Sequence, residues 1–370
     1  MKKTLFRISS LLGYILLPGI LLSYLSIWVN PGDLWFLSIF GLFYPYFLIG
    51  NLILFVYWIF RNKKFAFLIL IVILLGSNHI RSYFQWKGPG EKKYQSFISN
   101  KTSDIKNLKV LTYNVRLFNF YQNADSENSY NEFIQLILSQ NPDVICLQEV
   151  LISEYSGIPL DRLKKDFSQT PFTYCKLIKN PSGSRKYGNV IFSSYPIINK
   201  GEVAFSKTYN RSIFADLLID DDTLRIYNNH LQSFNLGSEN FSFLTAFEHN
   251  FDEGSLDEIQ DISFRMKAAY IQRAKQANSL KLHIRQTHLP VVVCGDFNDT
   301  PVSYVYYCIK KDLKDAFVES GKGFGKTYDQ IFPAFRIDYI LHSKDLYPID
   351  FKTLDTSLSD HYPLVSNFAF

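Results

Sequence analysis

Cysteine is scarce in this chain, and the few present follow no pattern. Cys146, Cys175, Cys294 and Cys308 are widely spaced, form no CxxC pair and have no histidine nearby at zinc-ligand spacing. Two of them sit in apolar runs, Val144-Ile145-Cys146-Leu147 and Val291-Val292-Val293-Cys294. This argues against a disulfide framework or a thiolate zinc site, and the four residues read as buried free thiols. Charge of one sign is also in short supply. The formal net charge is +5 over 370 residues, with no dense Lys/Arg stripe, so the balance alone does not mark a nucleic-acid binder. Lys176, Lys179, Arg185 and Lys186 form only a modest basic group, which reads as a solvated loop. No internal repeat organises the chain.

Aromatic residues, in contrast, are plentiful at 16%, and many lie near the N-terminus. Three apolar stretches fill the first 86 residues: Leu5 to Val29, Leu34 to Phe60 and Phe65 to Ile80. A helix crossing ~30 Å of hydrocarbon needs about 20 residues. The first two stretches reach that length. The third does so only if it continues toward Tyr83, Phe84 and Trp86, which then form an interfacial aromatic belt. The first stretch is long for the apolar region of a signal peptide, and further apolar stretches follow at once, so cleavage is not expected. Residues 1–86 therefore read as a membrane anchor of three transmembrane helices, with the bilayer as partner. Lys2, Lys3 and Arg7 precede the first stretch, and Arg61, Lys63 and Lys64 separate the second from the third. Positive-inside bias puts both groups in the cytoplasm. With three crossings, the remaining chain is non-cytoplasmic; if the third stretch does not cross, it is cytoplasmic.

Residues 87–107 are polar, contain Gly88-Pro89-Gly90 and read as a linker. Residues 108–370 suffice for one sizeable α/β domain. Strands are expected at Leu108–Val115, Val144–Val150, Tyr187–Ser193, Leu224–His230, Val291–Cys294, Arg336–Leu341 and Leu364–Phe370. Helices are expected around Phe133–Leu138 and over Ile262–Ile284, and residues 235–257 read as a surface insertion. Several neighbouring strands have no helix between them. That points to a mixed-sheet sandwich with helices outside rather than a doubly wound parallel sheet.

Six motifs carry chemistry. In Gly295-Asp296-Phe297-Asn298 a buried strand ends and offers a carboxylate and an amide two residues apart, which an extended backbone would turn to one side. Ser359-Asp360-His361 pairs a carboxylate with an imidazole. Leu147-Gln148-Glu149 ends a buried strand in a carboxylate suited to a hard cation. Tyr113-Asn114, Asn228-Asn229-His230 and Ile337-Asp338-Tyr339 complete the set. Singly, each has an ordinary structural reading as a turn cap or a strand-end charge.

In their order and spacing, these motifs resemble the endonuclease/exonuclease/phosphatase superfamily, over about Leu108 to Phe370. That superfamily includes DNase I-like nucleases, neutral sphingomyelinases, inositol-polyphosphate 5-phosphatases and tyrosyl-DNA phosphodiesterases. Tyr187-Gly188-Asn189-Val190-Ile191-Phe192 and Gln272-Arg273-Ala274-Lys275 also resemble family segments. The resemblance implies a four-layered α/β sandwich (DNase I-like) and a Mg²⁺-dependent phosphoesterase, with Mn²⁺ as the other candidate metal. On matching positions it implies Glu149 as principal metal ligand beside Asn114, with Asp360 near the metal or orienting His361. Asp296 orients or deprotonates the attacking water. Asn298 and His230 hold phosphoryl oxygens, His361 stabilises the transition state, and Asp338 supports a histidine. His230 argues against the abasic-site nucleases, which do not usually carry histidine there. Arg116 departs from branches that place an acidic residue at that position; it cannot ligate a cation, which puts a second metal in doubt, and it is expected instead to contact an anionic substrate or pair with a neighbouring carboxylate. The implied partner is a phosphate ester, either nucleic acid or a lipid head group. The contrasting expectation is a catalytically silent binding module on a membrane anchor.

Overall fold

The computed structural model describes residues 2–86, 88, 91–99, 105–120, 126–153, 158–179, 185–206, 208, 210–234, 253–329 and 335–370. The chain forms two compact units. One comprises Met1–Ser77, Gln232–Asn278 and Val302–Cys308; the other comprises Asn78–Leu231, Ser279–Pro301 and Ile309–Phe370. Most of the expected insertion at 235–257 lies outside the described residues.

The first unit is helical. Its helix Lys2–Ser26 contains an 18-residue window, Ser9–Ser26, with a mean hydropathy of 1.5, long and apolar enough to cross a membrane. The second apolar stretch differs from expectation, because it is not one helix. It breaks at Phe43 into Leu37–Leu42 and Tyr44–Ile59. Pro45 lies in the first turn of the latter, where its missing N–H is tolerated but an incoming helix cannot be continued. The third stretch yields the 13-residue helix Lys63–Leu75, which stops at Gly76. Its N-terminus is capped by Asn62, whose Oδ1 accepts from the N–H groups of Lys64 at 3.1 Å and Phe65 at 3.2 Å. Some polar side chains find backbone partners inside this unit. Asn51 Nδ2 donates to the carbonyls of Leu16 and Phe47 at 2.9 and 2.8 Å, and Ser23 Oγ donates to Phe40 O at 2.7 Å.

The second unit begins earlier than residue 87. Ser82 and Gln85 are buried in it, and Ser82 O accepts from Arg336 Nη1 at 3.0 Å. The segment 87–107 is also more than a linker. It contains the helix Glu91–Ser99, whose Tyr94 and Phe97 rings lie 5.6 and 5.4 Å from Tyr347.

Among the described residues there are fourteen strands, in chain order β1 (Phe84–Gln85), β2 (Asn107–Asn114), β3 (Val144–Ile152), β4 (Phe172–Lys179), β5 (Lys186–Ser193), β6 (Ile197–Val203), β7 (Arg211–Ile219), β8 (Asp222–His230), β9 (Val291–Asp296), β10 (Lys314–Asp315), β11 (Gly323–Phe324), β12 (Asp338–His342), β13 (Tyr347–Thr353) and β14 (Leu364–Ala369). They form two six-stranded sheets, β10-β12-β9-β8-β7-β6 and β13-β14-β2-β3-β5-β4, and a small β1-β11 ribbon. In the two large sheets only β2-β3 and β8-β9 are parallel, so both are mixed, as the uneven placing of helices implied.

The sheets pack face to face. Leu108, Val110, Cys146 and Ile191 of one meet Ile213, Ile226, Val292 and Cys294 of the other. The helices Ser126–Ser139 and Leu160–Asp166 cover the outer face of the β2-β3-β5 sheet through Tyr130, Phe133, Ile137 and Leu163. On the outer face of the other sheet, Tyr227 OH lies 2.8 Å from His283 Nδ1. The order helix, sheet, sheet, helix gives the four layers. Three of the four free cysteines are buried, and Cys175 is partly covered.

A polar ladder crosses the inter-sheet core. Gln148 Nε2 donates to Asn228 Oδ1 at 2.6 Å and Thr112 Oγ1 at 3.0 Å. Asn228 Nδ2 donates to the carbonyls of Leu147 and Val190, and Asn189 Nδ2 to those of Arg211 and Asn228. Buried and bonded on both sides, these amides fix which strands face each other across the core.

Candidate active site

The parallel pairs β2-β3 and β8-β9 end at one rim, and the carboxylates and histidines collect there. Asn114 closes β2, Glu149 lies near the end of β3, His230 closes β8 and Asp296 closes β9. Asp338 opens β12, directly across from Asp296 in the register.

Glu149 owes its position to a β-bulge. The β3-β5 register slips between Leu147 and Val150, and Glu149 takes a left-handed φ of 53°. Ile145 and Leu147 face the helix-side core, as do Val150 and Ile152 beyond the slip. Simple alternation would have sent Glu149 into that apolar layer. The extra residue instead leaves its side chain 32% exposed at the rim.

Asp296 is set by the preceding glycine. Gly295 has φ of 118°, and a Cβ there would lie 2.1 Å from Asn229 O. Only glycine lets β8 and β9 approach this closely before the carboxylate. Asp296 and Asn298 do meet, but not through extended alternation. Asn298 is left-handed (φ 53°), and Asp296 Oδ1 accepts its backbone N–H at 2.7 Å. The amide of Asn298 donates to Leu231 O at 2.9 Å and Asp296 Oδ2 at 3.1 Å. Both hydrogens are thereby used, so Asn298 braces Asp296 rather than presenting free donors to a phosphate.

Seven of the eight expected residues form one connected set. Asn114 Nδ2 bridges Glu149 Oε1 at 3.1 Å and Asp296 Oδ2 at 3.0 Å. His230 Nε2 lies 3.4 Å from Glu149 and 3.9 Å from Asp296, buried and without a hydrogen-bond partner. His361 Nε2 lies 3.8 Å from Asp296, and its Nδ1 lies 3.0 Å from Asp338 Oδ2. The eighth, Asp360, has turned to Arg116, with Nε to Oδ2 at 3.3 Å.

The buried charges shift one another. Burial pushes the Asp296 carboxyl up to about 6; the charge of His361 opposes this, and Asp338 adds to it. Burial alone would lower His361, but the carboxylates of Asp338 and Asp296 outweigh it and raise the imidazole to about 10. Asp360 is raised by burial, with His361 and Arg116 opposing.

Among the described residues, one group of side chains brings its ligand atoms close enough to hold a cation. The ligand atoms of Asp296, Asp338 and His361 fall within 4.8 Å of one another. Glu149 adds a carboxylate suited to a hard divalent ion beside the unpartnered His230 Nε2, while Asn114 turns its Nδ2 to Glu149 and Asp296 and its Oδ1 to the Arg116 N–H.

Two contributors, Thr327 and Tyr328, were not singled out in the sequence, and Ser359 was named only as part of its motif. Thr327 Oγ1 accepts from the N–H groups of Ile337 and Asp338 at 2.9 and 3.0 Å, fixing the start of β12. Tyr328 sets its ring edge-on to His361 at 5.0 Å. Ser359 Oγ donates to Asn114 O at 2.9 Å, tying the C-terminal motif to β2. Thr327 and Tyr328 lie in no recognisable motif; their value comes from contacts distant in sequence.

A two-sheet sandwich with carboxylates, amides and histidines converging at one rim is the frame of a metal-dependent phosphoesterase. Residues 111–361 match the model of the Endonuclease/Exonuclease/phosphatase family, and the chain belongs to that family. Residues 2–83 match a domain of unknown function (DUF8431). No curated protein is similar enough to be matched. Among solved structures, the chain is similar to the human Nocturnin catalytic domain with bound sulfate anion, at 18% identity, covering 72% of this chain and 96% of that one, with a TM-score of 0.50. It is also similar to a family protein from Leptotrichia buccalis (20% identity, 70% and 98% coverage, TM-score 0.49). A third is sphingomyelinase C from Streptomyces griseocarneus (19% identity, 71% and 99% coverage, TM-score 0.48). At such identities the likeness is one of fold.

Proposed function

We propose that the chain is a membrane-anchored, Mg²⁺-dependent hydrolase of a phosphodiester or phosphomonoester. The observation that carries this reading is the continuous contact set from Glu149 through Asn114 and Asp296 to His361 and Asp338. Glu149 and Asn114 are the residues to hold Mg²⁺, or Mn²⁺, in preference to the Asp296, Asp338 and His361 group. Mg²⁺ favours carboxylate and carbonyl oxygens, and the latter group includes an imidazole nitrogen. When bound, the ion supplies charge neutralisation to the phosphate.

The chain's own residues supply the rest. Asp296, held by Asn298, accepts a proton from the attacking water at its raised pKa of about 6. His361, charged and oriented by Asp338, stabilises the negative charge that develops on phosphoryl oxygens. His230 Nε2 is free to donate to another such oxygen. Phosphoryl transfer needs this kind of positioning and charge more than covalent help.

The N-terminal helix supports the anchor, and with an odd number of crossings the positive-inside pattern puts the catalytic unit on the non-cytoplasmic side. Nucleic acid and a lipid head group both offer the required ester. The test is hydrolysis by the full chain in detergent with Mg²⁺, on a generic phosphodiester and then on DNA, RNA, sphingomyelin and inositol phosphates. Asp296→Ala and His361→Ala are expected to lose at least about a hundredfold. Turnover equal to the parent in both would sink the hydrolase reading. Cleavage of nucleic acid with all lipids untouched would remove the lipid reading.

A further inference from the structure

Residues 116–119 form an unusual backbone run beside the site. Arg116, Leu117, Phe118 and Asn119 all have positive φ, between 43° and 56°. Four consecutive non-glycine residues in this region store strain of roughly 1–3 kcal/mol each and persist only where surroundings impose them. The surroundings do so here. Asn114 Oδ1 accepts the Arg116 N–H at 3.1 Å, Phe118 N donates to Val115 O at 2.7 Å, and the Asn119 amide bonds Leu358 O. The Phe118 ring is buried against Tyr130 and Phe133.

What the run delivers is one side chain. Arg116 Nε is held 3.3 Å from Asp360 Oδ2, and Asp360 is 12% exposed while Arg116 is 34% exposed. The pair stands between Asn114, two residues before Arg116, and His361, next to Asp360. Ser359 Oγ closes the gap by bonding Asn114 O. An arginine that serves only to neutralise a buried carboxylate looks different in this fold: Arg336 and Asp315 lie 2.6 Å apart, both with 0% side-chain exposure. In Arg116 the Nε edge is fixed, and the Nη edge has no ion pair among the described residues. A guanidinium fixed on one edge and open on the other matches phosphate geometry.

We propose that Arg116 binds a non-bridging oxygen of the substrate's reacting phosphate, and that Asp360 positions Arg116 rather than ligating the metal. The inference rests on the phosphoesterase reading. Arg116 supplies a fixed positive charge from the protein itself, on the side of the site reached by β2 and the C-terminal motif. Asp360 sets the plane of the fork.

The test uses the full chain in detergent with Mg²⁺ and inorganic phosphate as the probe, by calorimetric titration, with kinetics on a generic phosphodiester alongside. Arg116→Ala is expected to weaken phosphate binding about ten- to a hundredfold, the worth of a hydrogen bond to a charged group. It should raise KM far more than it lowers kcat. Arg116→Lys keeps the charge without the fork and should fall between the two; it decides the question if Arg116→Ala does not fold. Asp360→Asn should weaken phosphate binding in the same direction, and the double variant should be no worse than Arg116→Ala alone. Mg²⁺ affinity, titrated separately, should be unchanged in every variant. Phosphate binding by Arg116→Ala and Arg116→Lys equal to the parent would overturn the proposal. Loss of Mg²⁺ affinity in Asp360→Asn with phosphate affinity intact would overturn the part concerning Asp360. Failure of the phosphoesterase reading has a different signature, parental turnover in Asp296→Ala, which leaves the phosphate titration legible.

Discussion

Asp338 and His361 meet at 3.0 Å across 23 residues of sequence, and both are almost fully buried. The carboxylate keeps the imidazole charged and aims its Nε2 toward Asp296. Asp338→Asn removes the charge while keeping the shape. The expected loss in kcat is about a hundredfold. The pH dependence of stability gives a second readout. A raised histidine pKa stabilises the fold fully below the unfolded value of 6.5 and loses that contribution as pH rises toward about 10. Melting temperatures between pH 6.5 and 10 should therefore fall more steeply for the parent than for Asp338→Asn. Parallel curves would contradict the pairing.

Asp296 must be ionised to take a proton, and its carboxyl is pushed up to about 6. The acid limb of the kcat/KM profile should therefore rise as pH increases through about 6, where an ordinary aspartate would place it near 4. Asp296→Asn should abolish the limb along with most of the rate. A limb near 4 in the parent would exclude Asp296 as the group titrating.

Glu149→Gln keeps the bulge and the hydrogen bond from Asn114 but removes the charge. Mg²⁺ affinity, measured by titration without substrate, should drop at least about tenfold. Activity should recover partly at high Mg²⁺. Unchanged affinity would move the ion to the Asp296, Asp338 and His361 group.

Gly295→Ala places a methyl 2.1 Å from Asn229 O at a backbone φ of 118°. The expected destabilisation is at least about 1–3 kcal/mol, read by denaturant unfolding of the full chain. A stable, fully active Gly295→Ala would show that β8 and β9 can separate without moving Asp296.

The anchor predicts that the chain stays with membranes after alkaline carbonate washing, since one window, Ser9–Ser26, is long and apolar enough to span. A tag placed after Phe370 should be accessible only from the non-cytoplasmic side. Release into the soluble fraction would remove the anchor, and access only from the cytoplasm would reverse the orientation.

Much of this was legible in the sequence because strand ends bear the chemistry. Asn114, Glu149, His230 and Asp296 each follow a buried apolar run, and the seven expected strands all form. What escaped notice has physical reasons. Strands β4 and β6 are only partly buried edge strands with weak patterning, and β13 holds Pro348 at an irregularity of its register. The second apolar stretch read as one span because hydropathy is blind to a break at Phe43. Asn298 was expected to face a phosphate, but a left-handed turn turned its amide back to Asp296. Asp360 was expected near the metal or orienting His361, and Arg116 to meet an anionic substrate or a neighbouring carboxylate; the strained run at 116–119 brings these two side chains together. Backbone φ of this kind is invisible when the residues are not glycine.

The bulge at Glu149 sets the needs of the sheet against those of the site. On either side of it the β3 side chains keep one alternation, if Glu149 is skipped: Ile145, Leu147, Val150 and Ile152 to the helices, Cys146 and Gln148 to the opposite sheet. A chain lacking residue 149 could therefore pair β3 with β5 without interruption and shed a left-handed residue. Such a deletion should fold at least as firmly as the parent and bind no Mg²⁺. For sheet regularity alone Glu149 is a surplus residue, and the proposed metal ligand is that surplus.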